Sequence, residues 1–149
     1  MTRIVYVVED DPLQGEYLDR LLRDKFSSSL KVKLIGSESE FYTRFEEIVA
    51  DKPACVIMDI LLQWAPAEIA KDSKDLGSYV NAGLRCQKKL AEDPRTREIP
   101  VIFFTVLDRA DVPELPRDTA YVRKDASDQR FVGVVRDVTN RRGWSTSTD

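Results

Sequence analysis

Histidine is absent from the 149-residue chain. That absence removes Ser-His-Asp and Cys-His nucleophile systems, histidine-containing metal sites and histidine phosphodonor chemistry together, so acid, base and metal work falls to carboxylates. Cysteine is scarce: Cys55 and Cys86 make no CxxC pair, no thiolate-rich zinc set and no disulfide framework. A reducing, cytoplasmic setting is expected. No apolar run reaches the roughly 18 residues that mark a membrane-spanning helix. The opening MTRIVYVVEDD also lacks a basic region followed by an apolar one. Export and membrane spanning are therefore not expected. Basic residues form no concentrated run, and 23 Lys plus Arg against 26 Asp plus Glu leave a net charge of -3. A dedicated nucleic-acid-binding module is not expected either. What remains is an ordinary globular composition, 42% hydrophobic and 33% charged, in a chain long enough for one domain with its own core.

Short apolar, β-branched runs at Ile4–Val8, Val32–Ile35, Cys55–Met58, Val101–Phe104 and, more weakly, Ala120–Val122 read as five strands. Runs such as IVYVV and VIFF do not alternate, which predicts burial on both faces, as in a parallel sheet covered by helices. Helical periods lie between them. Pro12 opens a first helix with a stripe of Leu13, Tyr17, Leu18, Leu21 and Leu22, ending near Phe26. Ser37 and Glu40 fit a capping box ahead of Phe41, Phe45, Ile48 and Val49, with Pro53 as a stop. Leu84, Lys88 and Leu90 belong to a third helix, and Phe131, Val134, Val135 and Val138 to a last one. Alternating strand and helix predicts right-handed crossovers with helices on both faces.

Two stretches break the alternation. Residues 60–82, with Trp64, Pro66, Gly77 and KDSKD, make a long excursion between the third strand and its helix. DRADVPELPR, with Pro113 and Pro116, leaves room for about one helical turn, so a fourth helix should be short or irregular. The domain is expected over residues 1–142, with a flexible tail over 143–149.

In an open parallel sheet, ligands bind beyond the carboxyl ends of the strands. Glu9, Asp10 and Asp11 end the first strand, Asp59 the third and Thr105 the fourth, while Lys124 follows the fifth. Two negative charges about 4 Å apart repel by roughly 4 kcal/mol at an effective dielectric near 20, so gathered carboxylates want a counterion. Magnesium, a hard octahedral ion that takes carboxylates, a carbonyl, waters and phosphate oxygens, is the natural one. With an added ammonium and hydroxyl, the set matches phosphoryl transfer, where positioning and charge neutralisation dominate. Asp59 would be the nucleophile, forming an aspartyl phosphate.

VVEDDP, VIMDI, FFT and YVRKD, in this order and spacing, resemble the receiver domain of two-component response regulators over nearly the whole chain. The resemblance implies an α/β fold: a doubly wound, five-stranded parallel sheet of flavodoxin-like order 2-1-3-4-5 with helices on both faces. It implies phosphorylation with Mg2+ (or Mn2+) by a sensor histidine kinase or phosphotransfer protein, and output to a downstream protein effector. A signalling domain is implied rather than an enzyme, with at most self-catalysed phosphoryl uptake and autodephosphorylation. Carried across, Glu9 and Asp10 match the acidic pair, Asp10 as the direct metal ligand. Asp59 matches the phosphoacceptor, and the backbone carbonyl of Leu61 the third metal ligand. Thr105 matches the switch hydroxyl, Lys124 the phosphate-binding lysine and Tyr121 the switch aromatic. Asp11 reads as the cap of the first helix.

Three departures stand out. Asp125 follows Lys124 where the family usually has proline, often with a cis bond. The 60–82 excursion is inserted beside the phosphoacceptor, with the family pattern resuming at Gly83; it could serve as a lid, a partner surface or a solvated loop. The shortened fourth helix weakens the usual dimer or output face, and a homodimer stays open. Cys55 and Cys86 read as packing, with redox sensing as the alternative for Cys55. Trp64 either anchors the excursion or meets a partner. No DNA-binding helix pair follows Arg142, so output is expected from another chain or another part of a longer one. Two rival functions remain. One is a receiver-like interaction module that works without phosphorylation. The other is a haloacid-dehalogenase-type phosphatase, whose DxDx[TV] first-strand pattern Glu9-Asp10-Asp11-Pro12-Leu13 does not supply.

Overall fold

Residues 2–65 and 80–140 are described by a computed structural model of the chain. The five apolar runs form strands β1 (Arg3–Val8), β2 (Leu30–Ile35), β3 (Cys55–Met58), β4 (Val101–Thr105) and β5 (Ala120–Arg123). All neighbours pair in parallel, in the order β2-β1-β3-β4-β5. This is the flavodoxin-like receiver fold. Because the pairs run in one direction, Val8, Ile35, Met58, Thr105 and Arg123 end their strands at one rim.

Side-chain alternation in the central strands divides the core into two layers. Tyr6, Val8, Val56, Met58 and Phe103 enter one layer with α2 (Glu38–Thr43), α3 (Phe45–Asp51) and α4 (Ala82–Glu92). Val5, Val7, Cys55, Ile57, Ile102, Phe104 and Val122 enter the other with α1 (Pro12–Lys25) and α5 (Asp128–Asn140). Both faces of the sheet are therefore covered, and this is why IVYVV and VIFF carry no polar position. Cys55 and Cys86 are fully buried, and burial pushes the Cys55 thiol up to about 12, which suits packing rather than redox reactivity. No helix among the described residues is long and apolar enough to cross a membrane.

The helices correct several expectations. Asp11 caps α1 by accepting from the Leu13 N–H at 3.0 Å, with Pro12 next, as expected. The buried stripe, however, is Gly15, Leu18 and Leu22, while Leu13 and Tyr17 are exposed. Gly15 faces the Leu34 side chain at a distance an added Cβ would find ordinary, so this face, rather than the one bearing Leu13, lies against the sheet. The second expected helix is two, α2 and α3, meeting at Arg44. The Thr43 hydroxyl donates to the Ser39 carbonyl at 3.0 Å, a back-bond of the kind that bends helices, yet Phe41, Phe45 and Ile48 keep one buried face through the break. Only half of the capping box forms. Ser37 accepts from the Glu40 N–H at 3.1 Å, whereas the Glu40 carboxylate turns to the Gly36 N–H and Arg44. Lys52 closes α3 in the left-handed region, φ 49°.

In place of a fourth long helix there is a single 3-10 turn, Arg109–Asp111. The Arg109 guanidinium donates to the carbonyls of Pro116, Arg117 and Thr119, supplying partners that a proline-containing loop cannot find in a ladder. The excursion is described at its two ends, through Ala65 and from Val80; its middle, and the 143–149 tail, lie outside the described residues.

Candidate functional site

The register that pairs Val8 with Met58 makes Glu9 and Asp59 neighbours just past the rim, and the Asp59 N–H donates to the Val8 carbonyl at 3.1 Å. On the far side of β4, the Lys124 N–H donates to the Thr105 carbonyl at 2.8 Å, extending the ladder one step and aiming the side chain back over the rim. The Lys124 ammonium then lies 2.7 Å from Glu9 Oε1 and 2.7 Å from Asp59 Oδ2. Both carboxylates are buried, at 6% exposure each.

One ammonium thus serves two buried carboxylates. Burial, reinforced by the charge of Asp59, pushes the Glu9 carboxyl up to about 7 against the opposing pull of Lys124. Burial disfavours the charge on Lys124, but its hydrogen bonds to Asp59 and Glu9 outweigh that and raise its pKa. The site holds more negative charge than its lysine balances.

Around this pair residues 59–63, at the start of the loop after β3, are tightly held. Asp59 Oδ1 accepts from the Leu61 N–H at 3.2 Å, and Asp10 Oδ2 accepts from the Gln63 N–H at 2.9 Å. Asp11 is spent on the helix cap. Gly83, in the first turn of α4, donates its N–H to the Ile60 carbonyl at 2.9 Å. A Cβ on Gly83 would sit 2.0 Å from the Asp59 carbonyl oxygen, so only glycine permits this approach.

Thr105 is fully buried at the end of β4, and its hydroxyl lies 3.5 Å from the Leu107 N–H. Tyr121 is half-buried, and its hydroxyl donates to the carbonyl of the same Leu107. The two expected switch residues therefore meet through one loop residue. The Arg109 guanidinium stands 5.7 Å from the Tyr121 ring. Asp125 pairs with Arg123 at 3.2 Å rather than with Lys124, and no peptide bond among the described residues is cis.

Glu9, Asp59 and Lys124 are in direct contact, whereas Asp10 turns to the backbone of the loop. Among the described residues no three acidic or thiol side chains stand grouped around one point for a metal ion. The donors nonetheless fit one: carboxylate oxygens in excess of their cation are the hard ligands magnesium takes. The sequence reading missed Gly83 as a contact, together with Gln63 and the pairing of buried Glu38 with half-exposed Arg85. Acidic residues are ordinary in a first helical turn, so nothing local marks Glu38.

No family model and no curated protein sequence matches the chain. Solved structures do. A signal receiver domain of a two-component histidine kinase from Clostridium thermocellum matches with a TM-score of 0.72 at 20% identity, over 93% of this chain and 98% of that one. A signal receiver domain of a signal transduction histidine kinase from Syntrophus aciditrophicus matches at 0.68 and 22%, over 99% and 98%. A putative response regulator from Chloroflexus aurantiacus matches at 0.69 and 21%, over 95% and 100%. The chain shares the fold of these receiver domains.

Proposed function

We propose that the chain is a phosphoacceptor receiver domain, in which Asp59 takes a phosphoryl group from a phosphohistidine of a sensor kinase or phosphotransfer protein. The observation that carries this reading is the Lys124 ammonium, 2.7 Å from both Asp59 and Glu9 at the strand ends. An Asp59 carboxylate oxygen attacks phosphorus, a P–O bond forms, and the P–N bond to the donor imidazole breaks with its electron pair leaving on nitrogen. Lys124 orients the nucleophile beforehand and afterwards pairs with a phosphoryl oxygen, while the Thr105 hydroxyl donates to another. Glu9, Asp10, Asp59 and the Leu61 carbonyl would hold Mg2+. When bound, the ion supplies neutralisation of the phosphoryl oxygens.

Output follows from the link at Leu107. Once the Thr105 hydroxyl turns to phosphate, it no longer faces the Leu107 N–H, and the Tyr121 bond to the same residue shifts with the loop. Moving such an equilibrium from 1:99 to 99:1 takes about 5.5 kcal/mol of differential stabilisation. A few charge-assisted hydrogen bonds in a partly dry site reach that scale. The altered surface is what a downstream protein reads.

The test is incubation with acetyl phosphate and Mg2+, read by intact mass and by label on Asp59. The unaltered chain should gain one phosphoryl group, and Asp59→Asn or omission of Mg2+ should abolish the gain. No uptake by the unaltered chain would overturn the reading in favour of an interaction module that works without phosphorylation.

A further inference from the structure

The loop that carries Asp59 and Leu61 onward is gripped by two helices, and those helices are tied together by a charge pair the proposed chemistry does not use. The first two amides of α2 donate to the loop: the Glu38 N–H to the Gln63 carbonyl at 2.8 Å and the Ser39 N–H to the Trp64 carbonyl at 2.7 Å. The first turn of α4 grips the other end through Gly83 and Ile60. Between the helices, the Glu38 carboxylate is 2% exposed and receives a fork from Arg85, Nε at 2.8 Å and NH2 at 2.7 Å. Tyr42 donates its hydroxyl to the same carboxylate at 2.8 Å.

A pair of this kind is a poor stabiliser. The Glu38 carboxylate gives up its water while the Arg85 side chain stays 40% exposed, so the cost of burying one charge is set against a partly screened attraction, and apolar residues often do as well. What the fork supplies instead is geometry, because a bidentate guanidinium fixes both distance and orientation. Here it fixes the spacing between α2 and α4, hence the width of the gap in which the loop from Asp59 to Trp64 is held. Gln63 is shared: its carbonyl is bound by Glu38 and its N–H by Asp10.

We propose that Glu38 and Arg85 are positioning residues for the Asp59 site, setting the Leu61 carbonyl and the Asp10 carboxylate by clamping the loop between α2 and α4. The inference rests on the receiver reading above. Outer partners that orient ligands are commonly worth on the order of tenfold or more in metal affinity.

The experiment replaces the pair by a hydrophobic one, Glu38→Met with Arg85→Met, in the full chain. Three quantities are compared: urea unfolding, Mn2+ affinity from loss of the free-ion paramagnetic signal, and the rate of acetyl phosphate labelling at Asp59. The double variant should unfold at no lower urea concentration than the parent, yet bind Mn2+ on the order of tenfold more weakly and label more slowly. Tyr42→Phe, which takes one hydrogen bond from Glu38 but leaves the Arg85 fork in place, should keep most of both. A folded double variant with parental Mn2+ affinity and labelling overturns the inference. If the double variant does not fold, Arg85→Lys, which keeps the charge but loses the fork, carries the test, and parental affinity in it overturns the inference equally. A parent chain that neither binds Mn2+ nor labels overturns the receiver reading and the inference together.

Discussion

The loops after β3 and β4 leave the same rim of the sheet, one strand apart, and are held by opposite means. The described start of the first, residues 59–64, is fixed by backbone contacts and by a fork on a buried carboxylate: Gly83 against the Asp59 carbonyl, half-exposed Arg85 on Glu38, and the α2 amides on Gln63 and Trp64. The second rests Val112 and Leu115 on the core, but its side-chain polar contacts come from outside, from an exposed Arg109 reaching three carbonyls and an exposed Arg123 paired with Asp108. Buried, over-determined contacts leave one arrangement, whereas exposed ones exchange with water at little cost. The difference assigns roles. On the receiver reading proposed above, the β3 side would hold the nucleophile still, and the β4 side, carrying Thr105, Leu107 and Tyr121, would be the one to move.

The sharpest break of this contrast is Gly83→Ala. With a Cβ 2.0 Å from a carbonyl oxygen and 2.7 Å from the Ile60 Cα, backbone must shift, and no flexible side-chain end can absorb it. The cost expected from urea denaturation is about 3 kcal/mol or more. Gly133→Ala in α5, where a Cβ meets nothing within 4 Å, should instead stabilise by up to about 1 kcal/mol, because glycine is a poor helix former. A small loss at Gly83 would mean that the β3 loop is not rigidly seated.

Next in size is Arg109→Ala, read by amide hydrogen exchange. The Val112, Leu115 and Thr119 amides, bonded within the 106–119 loop, should exchange faster, while those of Glu38 and Gly83 keep the parental rate. Acceleration on both sides would erase the distinction between them. Tyr121→Phe removes one part-buried hydrogen bond, to the Leu107 carbonyl, and should cost roughly 1 kcal/mol of stability. If Tyr121 reports the state of Thr105, the same change should also lessen the difference in loop exchange between unmodified and acetyl-phosphate-treated chain.

How much of this could be read from the sequence depends on whether the information is local. IVYVV and VIFF announce strands because burial on both faces excludes polar positions. Glu9, Asp59, Thr105 and Lys124 stand out because each closes or follows such a run, and a parallel sheet must bring strand ends together. Leu13 and Tyr17 mislead because leucine-rich helices offer two overlapping stripes, and the choice is made by packing against other elements, which buries Gly15, Leu18 and Leu22. The break at Arg44 was invisible for a similar reason: Phe41, Phe45 and Ile48 hold one continuous period across it. Glu38 and Arg85 lie 47 positions apart, and each alone resembles a solvent-facing helix residue. Long-range polar contacts leave no periodic trace.

The smallest expected effect calibrates the outside grip itself, using an ion cluster at the β2 edge away from both loops. Lys33 lies 2.9 Å from Glu47 and 2.7 Å from Asp51, and Arg44 adds a second cation to Glu47 at 2.9 Å. The Arg44 hydrogen bonds, then those of Lys33, hold the Glu47 carboxyl down at about 2. Because the folded state lowers this pKa below its ordinary value of 4.5, the folded state binds the proton less well. Its stabilising contribution is therefore complete above that ordinary value and is lost as pH falls from about 4.5 toward 2. Glu47 is more than one-third exposed, so solvent and salt screen the contribution. Urea midpoints measured across this acid range should fall slightly less steeply for Glu47→Gln than for the parent, and 1 M salt should shrink that difference. An acid dependence that Glu47→Gln flattens strongly, and that salt leaves intact, would show that exposed ion pairs in this fold hold as firmly as buried ones, removing the reason for regarding the Arg109 and Arg123 side as the movable one.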